Sequence, residues 1–369
     1  MKIALAERDV LGGGATAAGM GHVVVMDDSE AQFALTRHSQ LLWQDLAATL
    51  PARAEYDQCG TLWIAADDEE MSEAQRKLSY YSARGVPARL LSARELAAAE
   101  PNLRAGLTGA LLVEEDAVVY APAVALHLAE EARAAGATIL IGRTVTSMGS
   151  AEMALDDGTV LTAPRLINAT GAWATELAPG LQVKKRKGHL VITDRRPGFA
   201  RHQLVELGYL KSAHSIDSDS VAFNVQPRRT GQILIGSSRQ YGNESAGVDQ
   251  TILATMLARA AMYMPALKDL PAIRVWTGFR AATPDKLPLI GPSIADSTVW
   301  LATGHEGLGI TTSLGTAALI AAQMTRAEPP IACEPYLPAR FSRSDTSNEG
   351  FSFTGHEAPA PKAQTEEIA

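Results

Sequence analysis

Residues 276–292 read WTGFRAATPDKLPLIGP, and the rest of the chain is interpreted from this stretch. It joins a strand-like run containing Arg280 to a Thr-Pro-Asp turn and a second apolar run. A further strand-like run, residues 299–303, leads into GHEGLGITT at residues 304–312. A glycine-rich turn that opens a helix directs backbone N–H groups and a positive dipole end to one point. Residues 304–312 therefore predict a site that stabilises negative charge; the alternative is a tight turn before a core helix.

The first residues contain part of a dinucleotide-binding pattern. Such a site needs a strand, a glycine-rich turn, a helix and an acidic residue at the end of the second strand. Residues 3–6 have the character of that second strand and Glu7 that of the ribose-binding acid, but no G-x-G-x-x-G comes before them. We therefore expect roughly 30 residues of a normal βαβ unit upstream, from a misassigned start or a truncation. The alternative is that Glu7 is a surface acid.

Together these motifs resemble the FAD-dependent D-amino-acid oxidase superfamily, which includes glycine and sarcosine oxidases. The resemblance runs from Glu7 to about Gln323. Residues 226–240 (QPRRTGQILIGSSRQ), 276–292 and 304–315 look most like β subunits of heteromeric dehydrogenases such as D-hydroxyproline dehydrogenase, opine oxidase and hydrogen cyanide synthase. The resemblance implies an α/β, two-domain oxidoreductase. It would combine a Rossmann-like FAD domain, lacking its first βα unit, with a mixed-sheet substrate domain.

The resemblance also implies FAD and the residues that contact it. The FAD would be non-covalent, because no cysteine stands at residues 270–315, where some relatives attach the flavin. The implied cofactor residues are Glu7, Arg8, Gly14, Ala15, Thr16, Gly19, Gly21, Thr170, Gly171, Trp173, Gly188, Gly304, Glu306, Gly307, Leu308, Gly309, Ile310 and Thr311. Taken singly, each of these segments could also be an ordinary loop, strand or turn.

For the substrate, the resemblance assigns the α-carboxylate to Arg280. The planar guanidinium fork matches a carboxylate bidentately and would orient the Cα–H bond towards the flavin. An ion pair of Arg280, for example with Asp285, is the structural alternative. His305 is the second catalytic candidate, with a hydrogen-bonded structural role equally open. Tyr209, Asn224 and Gln226 are weaker substrate candidates, and the basic run at residues 184–187 is interpreted as a solvated face.

The implied reaction is transfer of a hydride from the α-carbon of an amino or imino acid to flavin N5, giving an imine. D-hydroxyproline or a related secondary amine is the preferred substrate. The chain would act as a β subunit whose partners carry another flavin or an iron–sulfur centre. One alternative is a stand-alone oxidase that produces hydrogen peroxide. Another is a truncated scaffold subunit that no longer binds flavin.

Composition limits the class of protein and its partners. The net charge of −8 argues against nucleic acid, which needs a basic surface. The two cysteines, Cys59 and Cys333, fit neither a disulfide framework nor a metal cluster. No apolar run reaches the roughly 18 residues of a spanning helix, and the N-terminus does not resemble a signal peptide. A cytoplasmic protein is expected, with peripheral contact at the inner membrane as an alternative.

The chain is expected to form two domains, each built from segments that are not contiguous in sequence. Residues 1–50, 110–180 and 284–337 are assigned to the FAD domain, and residues 51–109 and 181–283 to the substrate domain. Residues 338–369, rich in Ser, Glu, Pro and Ala, predict a disordered tail. Among local signals, helical spacing at residues 30–50 predicts an apolar stripe of Phe33, Leu41, Leu42, Leu46 and Leu50. Ser92 and Glu95 form a capping-box pattern.

Overall fold

The protein is described by a computed structural model that covers residues 2–208 and 219–341. In this part, the strands are β1 (Ala4–Glu7), β2 (His22–Val23), β3 (Thr61–Ala65), β4 (Ala88–Ser92), β5 (Gly109–Val113), β6 (Ala117–Val118), β7 (Thr138–Ile141), β8 (Val145–Gly149), β9 (Glu152–Leu155), β10 (Val160–Thr162), β11 (Leu166–Asn168), β12 (Lys184–Thr193), β13 (Gln203–Glu206), β14 (Ser220–Pro227), β15 (Ile233–Arg239), β16 (Ala272–Ala282), β17 (Leu289–Pro292) and β18 (Val299–Thr303). The helices are α1 (Gly14–Ala18), α2 (Glu30–Ala47), α3 (Asp68–Ser82), α4 (Ala93–Ala99), α5 (Ala121–Ala134), α6 (Ala174–Leu177), α7 (Gln250–Tyr263) and α8 (Ser313–Thr325).

Eight strands form one mixed sheet in the order β16-β12-β15-β14-β13-β3-β5-β4. Neighbours run antiparallel except β13 and β3, which are parallel. β3 is buried along its whole length because both faces are covered. Leu62 and Ile64 lie in one apolar cluster, and Trp63 and Ala65 lie in another. The predicted α/β fold is confirmed.

The remaining strands form smaller sheets. β1 pairs with β7 in parallel, β11 pairs with β18 in parallel, and β17 pairs antiparallel with β18. β8, β9 and β10 form an antiparallel sheet, and β2 pairs with β6. α2 packs against α8, where the Gly315 N–H donates to Ser39 Oγ over 3.0 Å. The loops after β1, β11 and β18 carry the polar and glycine-rich segments of the predicted site.

The smaller sheets draw their strands from the segments assigned to the FAD domain. The eight-stranded sheet draws its strands from the substrate segments, except β5, which the boundary at residue 110 assigned to the FAD side. The division into domains itself stays a prediction. In the predicted tail, Pro338–Phe341 form a short 3-10 helix, and residues 342–369 lie outside the described residues. Tyr209 also lies outside them.

Of two further local predictions, one is partly confirmed and one was wrong. In the predicted apolar stripe of α2, Phe33 is buried and Leu46 and Leu50 pack against the core, but Leu41 is 44% exposed, and Gln40 and Trp43 are buried instead. The basic run is not a solvated face, because it is the first half of β12, with Lys187 only 1% exposed. The capping box of α4 is confirmed, since Ser92 and Glu95 bond reciprocally. None of the helices in the described part of the chain is long and apolar enough to cross a bilayer.

Candidate active site

A cavity of about 2750 Å³ brings the predicted site together. It exceeds the ~300–1,000 Å³ of a drug-sized pocket, so it is large enough for an extended cofactor and a substrate. Its wall comes from the N-terminal segment, the loop after β11, the adjacent strands β12, β15 and β16, and the turn at residues 304–310. Every catalytic and cofactor residue predicted from the sequence lines it except Gly21 and Thr311.

Gly21 and Thr311 instead have structural roles in the segments that lie behind the cavity wall. A Cβ at Gly21, where φ is +93°, would lie 1.9 Å from the Val119 carbonyl oxygen, so this position accepts only glycine. Thr311 is 1% exposed, and its Oγ1 donates to the His22 carbonyl over 2.9 Å. Both residues fix the neighbouring chain segments behind the cavity surface.

At one end of the cavity, the end of β1 meets the loop after β11. Glu7 Oε1 accepts the Asp9 N–H over 2.8 Å, which leaves its other carboxylate oxygen for a ligand. The guanidinium of Arg8 lies 5.5 Å from the Trp173 ring centroid. The side chain of Asn168 accepts from both the N–H and the hydroxyl of Thr170, which shapes the turn into Gly171.

The glycine-rich turn forms another part of the wall, but differently from the prediction. α8 begins at Ser313, and residues 306–308 form a separate 3-10 turn, so the helix does not open directly from Gly304. Within residues 2–208 and 219–341, the N–H groups of Gly309 and Ile310 donate to no protein acceptor. Both residues line the cavity. These N–H groups can therefore stabilise negative charge on a bound ligand.

Arg280 projects into the cavity from β16. A Cβ at Gly188 on the neighbouring strand would lie 2.6 Å from Arg280 Nη1, so the glycine makes room for the guanidinium. Nη1 donates to the Ser238 carbonyl over 3.0 Å. Asp285 pairs with Arg340 instead, at 2.6 Å, which removes the ion pair considered as the alternative. Among the described residues, Arg280 has no salt-bridge partner.

His305 is held as a neutral, hydrogen-bonded residue. Its Nε2 lies 2.9 Å from Thr316 Oγ1, and burial lowers the pKa of the imidazole to about 4. At neutral pH it carries no charge that could tune a reduced flavin, which favours the structural role. His22, which the sequence did not single out, also lines the cavity. Burial lowers the pKa of its imidazole to about 4, although the neighbouring Gln226 side chain acts to raise it.

Three further polar side chains at this wall were missed. Arg186 on β12, Arg239 at the end of β15 and Tyr241 line the cavity beside Arg280. Arg186 Nη1 donates to Glu306 Oε1 over 2.5 Å, and the two side chains are only 12% and 17% exposed. Burial opposes ionisation of Glu306, but the guanidiniums of Arg186, Arg239 and Arg280 outweigh it and lower the carboxyl pKa to about 2.

The residues present fit FAD. Gly14 and Gly171 have φ of +56° and +60° with open space around the missing Cβ, which lets a ligand approach the backbone. The N–H groups of Gly309 and Ile310 are polar groups that the described protein leaves for a ligand. Glu7 and Arg8 would hold the ribose end, and the turn at residues 304–310 the flavin end.

Comparisons with known proteins show the family of this chain. The family model described as FAD dependent oxidoreductase (DAO) matches residues 1–323. Hydrogen cyanide synthase subunit HcnC of Pseudomonas aeruginosa is 30% identical over 328 residues, covering 84% of this chain and 75% of the relative. Glycine oxidase of Geobacillus kaustophilus is 27% identical over 354 residues, covering 92% and 90%.

Solved structures share the fold. The crystal structure of glycine oxidase from Geobacillus kaustophilus matches with a TM-score of 0.81 at 25% identity over 92% of each chain. The L-proline dehydrogenase of P. horikoshii matches with a TM-score of 0.81 at 21% identity, covering 93% and 91%, which is a likeness of fold alone. The chain therefore belongs to the DAO family of flavoproteins. It is an FAD-dependent oxidoreductase.

Proposed function

We propose that this FAD-dependent oxidoreductase of amino acids or amines oxidises an amino or imino acid at its α-carbon, with Arg280 binding the substrate carboxylate. The observation that carries the proposal is the position of Arg280. Its guanidinium lies in the cavity over Gly188, without a salt bridge among the described residues. A buried cation of this kind is stabilised by a bidentate carboxylate.

Each residue has a limited task in this reaction. Arg280 fixes the carboxylate and so orients the α-C–H bond. The N–H groups of Gly309 and Ile310 stabilise negative charge on the bound ligand. When bound, FAD accepts the hydrogen and the electron pair of the α-C–H bond, while the amine loses a proton and becomes an imine. A substrate amine that enters neutral needs no general base from the protein, which agrees with a neutral His305.

The first test is the visible absorption spectrum of the purified protein after reconstitution with FAD. A flavin band that is bleached anaerobically by amino or imino acids supports the proposal. Acetate and simple alkylamines, which lack either the amine or the carboxylate, should leave the band unchanged. A protein that stays colourless in excess FAD would overturn the proposal in favour of the scaffold alternative.

For the substrate and assembly, we propose D-hydroxyproline or a related secondary amine, oxidised by a β subunit of a heteromeric dehydrogenase. The similarity to a subunit of hydrogen cyanide synthase and the fold shared with L-proline dehydrogenase support this version. Its partners would carry another flavin or an iron–sulfur centre. The similarity to glycine oxidases favours the second candidate, a stand-alone oxidase. Oxygen uptake and peroxide formation without an added acceptor would select the oxidase.

A further inference from the structure

The backbone pairing between β12 and β15 is interrupted beside Arg280. The ladder pairs Val191 with Ile235, and the next backbone pairing along the strands is the bridge between Lys187 and Gln240. Between these two pairings the chain advances by four residues on the β12 side and by five on the β15 side, so β15 contains a bulge. Bulges often lie next to active sites, where they redirect side chains or end the pairing.

Ser238 lies in this bulge and is fully buried. Its side chain takes the place of a ladder carbonyl, because Oγ accepts the backbone N–H of His189 on β12 over 2.9 Å. The Ser238 carbonyl accepts instead from Arg280, whose Nη1 donates to it over 3.0 Å. The position of the carbonyl that holds the guanidinium therefore depends on the Ser238 hydroxyl.

The imidazole of His189 holds Ser238 as well. The backbone N–H of Asp249 donates to His189 Nε2 over 3.0 Å, so Nε2 is an acceptor. The proton of the neutral ring then lies on Nδ1, which donates to Ser238 Oγ over 2.9 Å. Burial and the charge of Lys187 lower the pKa of this imidazole, against the effect of the Asp249 carboxylate, so the ring is neutral at pH 7.

We infer that Ser238 and His189 are positioning residues for substrate binding, which together hold the Arg280 guanidinium in the orientation that receives the substrate carboxylate. The inference rests on the proposed function, because it takes Arg280 as the carboxylate site. An arginine side chain loses rotational freedom when it binds a ligand, and a contact that already fixes it reduces this cost. The Ser238 carbonyl is such a contact, and His189 keeps it in place.

The test measures the binding of methoxyacetate, a monocarboxylate that has no amine to be oxidised. Isothermal titration calorimetry on the FAD-loaded protein gives its Kd. Ser238→Ala should raise this Kd about 3-fold to 10-fold, as expected when a net hydrogen bond is lost. His189→Leu should also raise it. His189→Asn, whose amide can still donate to Ser238 Oγ, should retain much of the wild-type affinity.

A double-mutant cycle tests whether Ser238 acts through Arg280. In the Arg280→Ala background, Ser238→Ala should change the Kd by less than about 2-fold, because no guanidinium is left to position. Ser39→Ala is the matched control. Ser39 is an equally buried serine whose Oγ accepts a backbone N–H, but it does not line the cavity. Its substitution should leave the Kd unchanged.

The flavin spectrum and thermal unfolding of each variant report whether it is folded and loaded. A wild-type Kd in folded Ser238→Ala and His189→Leu proteins would overturn the inference. An equal loss of affinity with and without Arg280 would overturn it too, because the two residues would then act only on the fold.

The proposed function fails on different results. If Arg280→Ala leaves the Kd of methoxyacetate unchanged, then Arg280 does not bind the carboxylate, and both the proposed function and the inference are wrong. If no amino or imino acid bleaches the flavin although Ser238→Ala weakens binding through Arg280, then the oxidation is wrong and the positioning role stands. If amino acids bleach the flavin and only Arg280→Ala weakens binding, then the oxidation stands and the positioning role does not.

Discussion

The guanidinium of Arg280 occupies space that any residue other than glycine at position 188 would fill. Arg280→Ala should raise KM for carboxylate substrates about 10-fold to 150-fold, because a hydrogen bond to a charged group contributes about 1.5–3 kcal/mol. Steady-state kinetics with separate kcat and KM values provide the measurement. Arg274→Ala, on the same strand but exposed, is the control. An unchanged KM for Arg280→Ala would remove the assignment of the carboxylate to Arg280.

His305 gives a prediction for the pH dependence of stability. Burial lowers its pKa from 6.5 to about 4, so between these pH values the unfolded chain binds more protons than the folded one. The contribution of His305 to the free energy of unfolding should therefore fall as the pH is lowered through this window. His305→Gln, which can keep a hydrogen bond to Thr316, should reduce this fall by about 2–3 kcal/mol.

Urea unfolding at pH 4.5, 5.5 and 6.5, at one fixed FAD concentration, measures this difference. The comparison between variant and wild type is needed because Asp116 acts in the opposite direction, burial having raised its pKa to about 7. Parallel stability curves for the two proteins would show that His305 is protonated equally in the folded and unfolded states.

Among the elements, the pairing of β2 with β6 explains why Gly21, a predicted cofactor residue, has a structural role. Gly21→Ala would force a Cβ to 1.9 Å from the Val119 carbonyl oxygen, whereas Gly14→Ala meets nothing within 4 Å. We expect Gly21→Ala to lower the free energy of unfolding by more than about 4 kcal/mol. Gly14→Ala should lower the free energy of unfolding by only about 1–2 kcal/mol, which is the cost of the left-handed backbone conformation for a residue with a Cβ.

Thermal unfolding and FAD titration of both variants test this contrast. A Gly21→Ala protein with wild-type stability and weakened FAD binding would restore the cofactor role of Gly21. If FAD approaches the open backbone at Gly14, then Gly14→Ala should reduce the free energy of FAD binding by more than it reduces the free energy of unfolding.

Local elements could be predicted where the determining contacts are local. The capping box of α4 involves residues three apart, and the structure contains it as predicted. The buried face of α2 could not be predicted from hydropathy, because it contains polar residues with distant partners. Gln40 Nε2 donates to Asp116 Oδ1 over 2.8 Å, and Ser39 accepts from Gly315. Hydropathy therefore assigned Leu41 inward, although it is exposed.

The sequence motifs of the candidate site could be predicted, but the arginines that lie beside Arg280 in the folded protein could not. Arg280 and the glycine-rich turn stand in one continuous stretch of sequence. Arg186 and Arg239 join them only because β16, β12 and β15 are neighbours in the sheet, although they are far apart in sequence. Alternation along residues 184–187 was the available signal: in a strand, Arg186 and Lys187 point to opposite faces and cannot both be solvated if the strand is central.

For the whole molecule, the cavity is lined by segments from nearly every part of the described chain, so FAD should stabilise the fold globally. At free FAD 100-fold above its Kd, the free energy of unfolding should increase by about 2.7 kcal/mol, and further with log concentration. Riboflavin could contact the turn at residues 304–310 but not the Glu7 end, so it should stabilise the protein far less. Urea midpoints measured over a series of FAD and riboflavin concentrations test this. Equal stabilisation by both would mean that the Glu7 and Arg8 end contributes nothing to cofactor binding.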